Sequence, residues 1–245
     1  MDYTIFYILI ISLVATLIRS TFGFGESLVA VPLFTLFLPM EIAVPLSVLL
    51  SIVIALIVVV QDHTKIHLKS AKWLIVFAIP GIPLGVIILT YVSELLVKTG
   101  LGTLLVLYSF YGLLGKSSRK LQKDSMGWLF ICGFLSGVFG GAYGINGPPL
   151  VVYGNLRQWN AKQFRATLQA YFLPVSLVGI AGYFWKGLMN VVVWNYFLVT
   201  LPVVIPAVFL GRYLNHRLKD NSFFKYLYWG LLLIGVFLIV DSLRK

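Results

Sequence analysis

From Gly133 to Gly154 the chain reads GFLSGVFGGAYGINGPPLVVYG, so seven glycines and two prolines interrupt an otherwise apolar run. A weaker copy, IRSTFGFGESLVAVPLFTLFLP, spans Ile18 to Pro39, and matching Gly25 to Gly141 and Pro32 to Pro148 lays one on the other. In a water-soluble chain such stretches would be surface loops. Here apolar segments of about 20 residues, the length of helix that crosses a roughly 30 Å hydrocarbon core, recur from end to end. The helix-breaking residues therefore fall at membrane depth, where each backbone amide or carbonyl without a partner costs several kcal/mol.

Sixty per cent of the residues are hydrophobic and 11% are charged, outside the range of soluble domains. The chain reads as an all-α polytopic membrane protein whose main partner is the lipid bilayer. A net charge of +11 does not indicate nucleic acid, because the basic residues are scattered through short loops with no basic helix or base-stacking platform. The single cysteine, Cys132, lies inside an apolar run, which leaves no disulfide framework and no thiolate metal site. The first residues carry an acid where a signal peptide needs positive charge, so Tyr3 to Ile18 is expected to be a retained helix.

After a break at Arg19 to Glu26, a short helix is expected over Ser27 to Leu38, followed by Ile42 to Gln61, Trp73 to Tyr91 and Leu95 to Gly115. These make a first repeat, residues 1–115. A linker, 116–125, leads to a second repeat, 126–245: Met126 to Gly140, a break at Gly141 to Gly147, a short piece from Pro148 to Gly154, then Phe164 to Trp185, Val191 to Leu214 and Phe223 to Ser242. Pro206 and Gly211 repeat the spacing of Pro80 and Gly85 in corresponding segments, which supports an internal duplication. Loops 62–72, 116–125, 155–165 and 212–225 hold 14 of the 19 basic residues, so these four loops are predicted to be cytoplasmic. They share a side only if each broken pair is a hairpin. The expected architecture is thus two inverted five-segment repeats, each a broken helical hairpin followed by three transmembrane helices, with both termini outside.

Entering from opposite faces, the two hairpin tips must overlap. Tyr3 to Arg19 spans about 24 Å as helix and Met126 to Gly141 about 22 Å, past the midplane of the core. Helix amino termini near Glu26 and Asn146 would turn positive dipole ends into a shared cavity, which suits a small anion. The candidate substrate-binding residues are Phe22, Gly23, Phe24, Gly25, Gly141, Gly144, Asn146, Gly147, Arg165, Gln169 and Tyr171. Close packing of small residues explains Gly133, Gly137 and Gly141, which are spaced four apart. Arg19 and Glu26 read either as a buried ion pair or as substrate and proton-coupling groups. Arg165 reads as substrate ligand or interface anchor. Pro32, Pro80, Gly85, Pro148, Pro149, Pro206 and Gly211 are candidate hinges.

No Walker sequence, dinucleotide fingerprint or zinc-protease motif is present, and His63, His67 and His216 all fall in loops, so the chain reads as a non-enzyme without cofactor or metal. The motifs RSTFGFGESLVAVPL, GGAYGINGPPLVVYG and FRATLQAYF, with the duplicated layout, resemble the TauE/SafE family of sulfite and organosulfonate transporters. That resemblance implies a secondary transporter in a bacterial inner membrane, moving a small sulfur-containing anion such as sulfite, thiosulfate or sulfoacetate. Export is the expected direction, with an anion channel, proton-coupled uptake of a small organic anion, and a membrane scaffold as alternatives. The sequence does not set the oligomeric state.

Overall fold

A computed structural model describes residues 3–114, 121–159 and 161–215, and scattered positions between Tyr228 and Ser242. Both chain ends, residues 115–120, residues 216–227 with His216, and much of the expected segment Phe223 to Ser242 lie outside the described residues. The described chain is helical: α1 Tyr3–Phe22, α2 Glu26–Phe34, α3 Met40–Asp62, α4 Leu68–Ala78, α5 Gly81–Tyr91, α6 Glu94–Leu113, α7 Met126–Tyr143, α8 Gly147–Leu156, α9 Ala161–Trp185 and α10 Val191–Asn215. Six of its helices are long and apolar enough to cross a membrane, seven if α4 and α5, bent by 44° at Pro80, count as one span.

The breaks are narrower and later than expected. α1 continues through Arg19 to Phe22, and only Gly23–Phe24–Gly25 is non-helical; α7 continues through Gly141 to Tyr143, leaving Gly144–Ile145–Asn146. Two glycines with left-handed backbone, Gly23 (φ 85°) and Gly144 (φ 67°), end the two helices. The Gly144 amide donates to Gly140 O at 2.9 Å and the Ile145 amide to Phe139 O at 3.2 Å, a closure that only a residue tolerating positive φ makes without strain. Pro148 and Pro149 do not stop a helix; they sit in the first turn of α8, where the missing amide has no partner to lose. Pro206 and Gly211 lie inside one unbroken helix, unlike Pro80.

Small residues decide what packs on what. α7 lays Gly133, Gly137 and Gly141 against α4 and α5: a Cβ on Gly133 would lie 2.8 Å from Leu74 O, and those on Gly137 and Gly141 would strike Ala78 O and Ile82 O. α1 meets α10 where Gly211 is seated on Leu17 O and Ser20, and Ser12, Thr16 and Ser20 on that helix are all fully buried. The three residues of each seam are four apart, so they share one helix face. α3 crosses α9 between these two seams. The described part of 228–242 lies on α6, where Gly235 meets Gly102 O and Thr99 hydrogen-bonds Ser242 at 2.9 Å.

The basic loops, as far as they are described, gather at one end of the bundle. Asp62 pairs with Arg165 at 3.6 Å and with Arg212 at 3.8 Å, and the His67 amide donates to Thr167 at 2.9 Å. In the linker, Asp124 accepts from Ser70 at 2.9 Å and Tyr153 at 2.8 Å and pairs with Arg157 at 3.0 Å. The opposite end joins Tyr7 to Phe37 by stacking at 4.9 Å and Lys186 to Tyr91 at 3.1 Å. Hence the α1–α2 hairpin opens toward the end poor in basic residues and the α7–α8 hairpin toward the basic end.

Burial opposes ionisation of Asp124, but the hydrogen bonds from Tyr153 and Ser70, and Arg157, outweigh it and hold the carboxyl below its ordinary range. A folded-state pKa below the unfolded one gives stability that is complete above about pH 4 and lost as pH falls through the folded value. Asp124→Asn should therefore lower the melting temperature at neutral pH, with wild type descending to the variant's value in acid. In the seam, Gly137→Ala is expected to cost about 1–3 kcal/mol by overpacking. Gly127→Ala, where the added methyl meets nothing, should stay within about 0.5 kcal/mol in the same unfolding measurement.

Candidate functional site

The two breaks meet. Gly147 faces Phe24, whose ring stands edge-on to Phe164 at 5.8 Å, and a Cβ added at Gly147 would lie 3.8 Å from the Phe24 ring. Gly25, Glu26, Ser27 and Leu28 from the first hairpin and Gly144, Ile145, Asn146 and Gly147 from the second line one cavity of about 20 Å³, closed by Arg19, Ser51 and Phe172. That volume holds about one water molecule. The amino-terminal turns of α2 and α8 both open on it, and their unpaired amides, fewer in α8 because Pro148 and Pro149 have none, set a positive potential there.

Arg19 and Glu26 are the charged side chains at the cavity, and they are paired at 3.1 Å. Nη1 of Arg19 also donates to Ser51 at 2.6 Å, while Nε and Nη2 donate to Gln169 Oε1 at 3.2 and 2.8 Å. The guanidinium plane lies 4.6 Å from the Phe172 ring centre. Glu26 is as well served: Ser27 donates to one oxygen at 2.9 Å and Ser47 to the other at 2.8 Å. Gln169 in turn donates to Gly23 O at 2.6 Å, tying the first tip to α9. One guanidinium thus links α1, α2, α3 and α9.

Several sequence candidates stand close by without lining the cavity. Phe22 closes α1 and packs on the core. Tyr171 donates to Ser136 at 2.8 Å, and Ser136 donates to Asn146 O at 2.7 Å, so Tyr171 props the second tip from behind. Gly141 belongs to the α5 seam, with Tyr183 donating to its carbonyl at 2.9 Å. Gly23 would place a Cβ 2.8 Å from Arg165 Cα, so the first tip docks on the backbone of α9. The Arg165 side chain itself turns to Asp62 at the basic end, away from the cavity. Pro32 lies within α2, and its carbonyl accepts from Thr35 at 2.8 Å.

Sequence reasoning missed Ser27, Leu28, Ser47, Ser51 and Phe172. The one available signal was the four-residue spacing of Ser47 and Ser51 on α3, which puts two hydroxyls on one face of an otherwise apolar helix.

The sequence profile described as Sulfite exporter TauE/SafE matches residues 8–238. Over 137 residues the chain is 28% identical to a probable sulfite/organosulfonate exporter TauE of Cupriavidus necator, a stretch that covers 55% of this chain and 53% of that protein. The chain therefore spans about half the length of the curated relative it matches. No solved structure matches it.

Breaking the buried pair from one side strands a charge, so Arg19→Ala should destabilise the protein by about 3–5 kcal/mol. Arg19→Leu combined with Glu26→Leu should recover most of that loss, as a double-mutant cycle on the melting temperature would show.

Proposed function

Because the chain belongs to the sulfite exporter TauE/SafE family, we propose that it is a secondary transporter that exports a small sulfur-containing anion, such as sulfite, thiosulfate or an organosulfonate like sulfoacetate. The observation that carries this reading is the convergence of two helix amino termini and one arginine on a single small cavity between the tips. Amide dipoles and a guanidinium stabilise an oxyanion without covalent chemistry, and broken helices paired at a repeat interface are the usual substrate seat of secondary transporters. The name of the Cupriavidus necator relative points to the same substrate class.

We read the two halves as inverted repeats. Three observations support this: the hairpins open toward opposite ends, α1 packs on α10 as α7 packs on α4 and α5, and α3 crosses α9 at the centre. The basic end is then cytoplasmic by the positive-inside rule, the second hairpin enters from the cytoplasm, and both termini lie outside in the inner membrane. The substrate contacts are the tip residues Gly25, Gly144, Asn146 and Gly147, with Arg19 as cationic partner. Phe24, Gln169 and Tyr171 hold the tips in place. Pro80, where α4 and α5 meet at 44°, supplies a bend about which the first half rocks, while its counterpart Pro206 lies within the unbroken α10.

An interior-negative potential drives the export. Each negative charge moved outward releases about 2.3 kcal/mol per 100 mV. A channel requires a continuous wet path, and the space between the tips, about 20 Å³, holds about one water molecule.

In proteoliposomes, efflux of labelled sulfite should saturate with concentration and show counterflow. Flux that stays linear with concentration at channel rates would sink the carrier reading. Gly147→Ala adds a methyl in ordinary van der Waals contact, so the fold stands, yet the methyl consumes cavity space. It should cut transport at least about tenfold with the protein correctly inserted.

A further inference from the structure

The donors around Glu26 form a seat larger than one ion pair. Its carboxylate accepts from Arg19 Nη1 at 3.1 Å, Ser27 Oγ at 2.9 Å and Ser47 Oγ at 2.8 Å, and its side chain is completely buried. Three donors from three helices, converging on the two oxygens of one anion, are also what a sulfite or sulfonate group requires of its site. The remaining edge of Arg19 is committed elsewhere: Nε and Nη2 are held by Gln169, which is itself fixed by Gly23 O, and the Phe172 ring covers one face of the guanidinium. An anion entering between the tips can therefore reach the guanidinium only along the edge that Glu26 occupies.

The cavity beside that edge, about 20 Å³, is too small for a sulfur oxyanion. Glu26 begins α2 directly after Gly25, a glycine with φ 99°, so its side chain hangs at the rim of the tip. Two anions on one buried guanidinium would leave a net negative charge in a site with little water, which electrostatics at low dielectric strongly disfavours.

Resting on the family reading above, we infer that Glu26 is a tethered stand-in for the substrate: its carboxylate occupies the oxyanion seat between turnovers, and the substrate binds by displacing it. Arg19 Nη1, Ser27 Oγ and Ser47 Oγ are the donors that pass from carboxylate to substrate. The cation is never left bare, because one anion leaves as the other arrives. The same exchange selects for oxyanions, since the incoming group must accept at least three hydrogen bonds, and it disfavours halides, which cannot span the seat. Ser51 and Gln169 remain on Arg19 throughout and fix its orientation.

The experiment is calorimetric titration of purified full-length protein in nanodiscs with sulfite and with methanesulfonate, for wild type, Glu26→Gln and Glu26→Asp. Gln removes the competing charge while keeping an acceptor for Arg19. Asp keeps the charge, and so the neutral pair that folding needs, but its shorter arm withdraws the carboxylate from the seat. Displacement predicts binding at least tenfold tighter for Glu26→Gln and severalfold tighter for Glu26→Asp, with a larger thermal shift on ligand addition in both. Should Glu26→Gln fail to fold, Glu26→Asp decides alone. If wild type binds and the foldable variants bind equally or more weakly, Glu26 is a fixed ion-pair partner and the displacement idea is overturned while the substrate class stands. If no form binds either anion, the sulfur-anion reading itself is overturned along with it.

Discussion

A guanidinium in a hydrocarbon-facing bundle has to be surrounded before it can be tolerated, and the centre of this protein is built on meeting that demand for Arg19. On the insertion scale an arginine at the bilayer centre costs about 2.5–3.5 kcal/mol, and most of that is recovered only if every donor finds an acceptor. Arg19 obtains a carboxylate from α2, a hydroxyl from α3, an amide oxygen from α9 and the face of an aromatic ring, also from α9. Each partner is useful only if its helix is held in place, so the requirement propagates outward. Gln169 anchors the first tip through Gly23 O, and Ser51 reaches on to Ser176 at 3.3 Å. The cavity between the tips follows from this arrangement, since it is the space left where two broken backbones and one neutralised arginine come together.

The seams that carry the hairpins obey a second constraint, close approach of backbones without a hydrophobic drive between helices. Counting from the left-handed glycine that ends each first arm, Ser12, Thr16 and Ser20 stand where α7 has Gly133, Gly137 and Gly141. Gly85 touches Gly141 and Val138 on one side of the molecule, and Gly211 touches Ser20 and Leu17 on the other. These pairs agree with one another only when Gly23 is matched to Gly144. That match is a displacement of five residues from the register read in the sequence, Gly25 on Gly141 and Pro32 on Pro148.

That displacement shows what the sequence conveys here and what it hides. The apolar spans and the seam glycines were legible, because each depends on composition or on a spacing of four. The break positions were not. A glycine that allows two helices to touch and a glycine that turns the chain are the same letter, and only the backbone of Gly23, Gly25 and Gly144 separates them from Gly140 and Gly141. Paired prolines likewise look the same whether they end a helix or begin one. The Arg19–Glu26 pair was foreseeable because the two are the charges available at that depth. The serines that complete it were not, since a lone hydroxyl on an apolar helix commonly bonds to its own backbone. Arg165 read as substrate ligand or interface anchor, and the direction of its side chain depends on Asp62, about a hundred residues earlier in the chain.

The two seams, equivalent in position, are not equivalent in energy. In α7 the contact is glycine against backbone, with no polar side chain to satisfy. In α1 the same positions bury Ser12 Oγ, Thr16 Oγ1 and Ser20 Oγ without hydrogen-bond partners among the described residues. A buried hydroxyl left unpaired costs about 1–3 kcal/mol relative to one in water, a cost that the glycine seam does not carry. The first hairpin is also the one that carries both charges and whose tip rests on α9 through Gln169. The polar network offsets the difference: Arg19 ties α1 to α2, α3 and α9, so the first pair of helices is held by charge and hydrogen bonds at its tip where α7 is held by packing along its length.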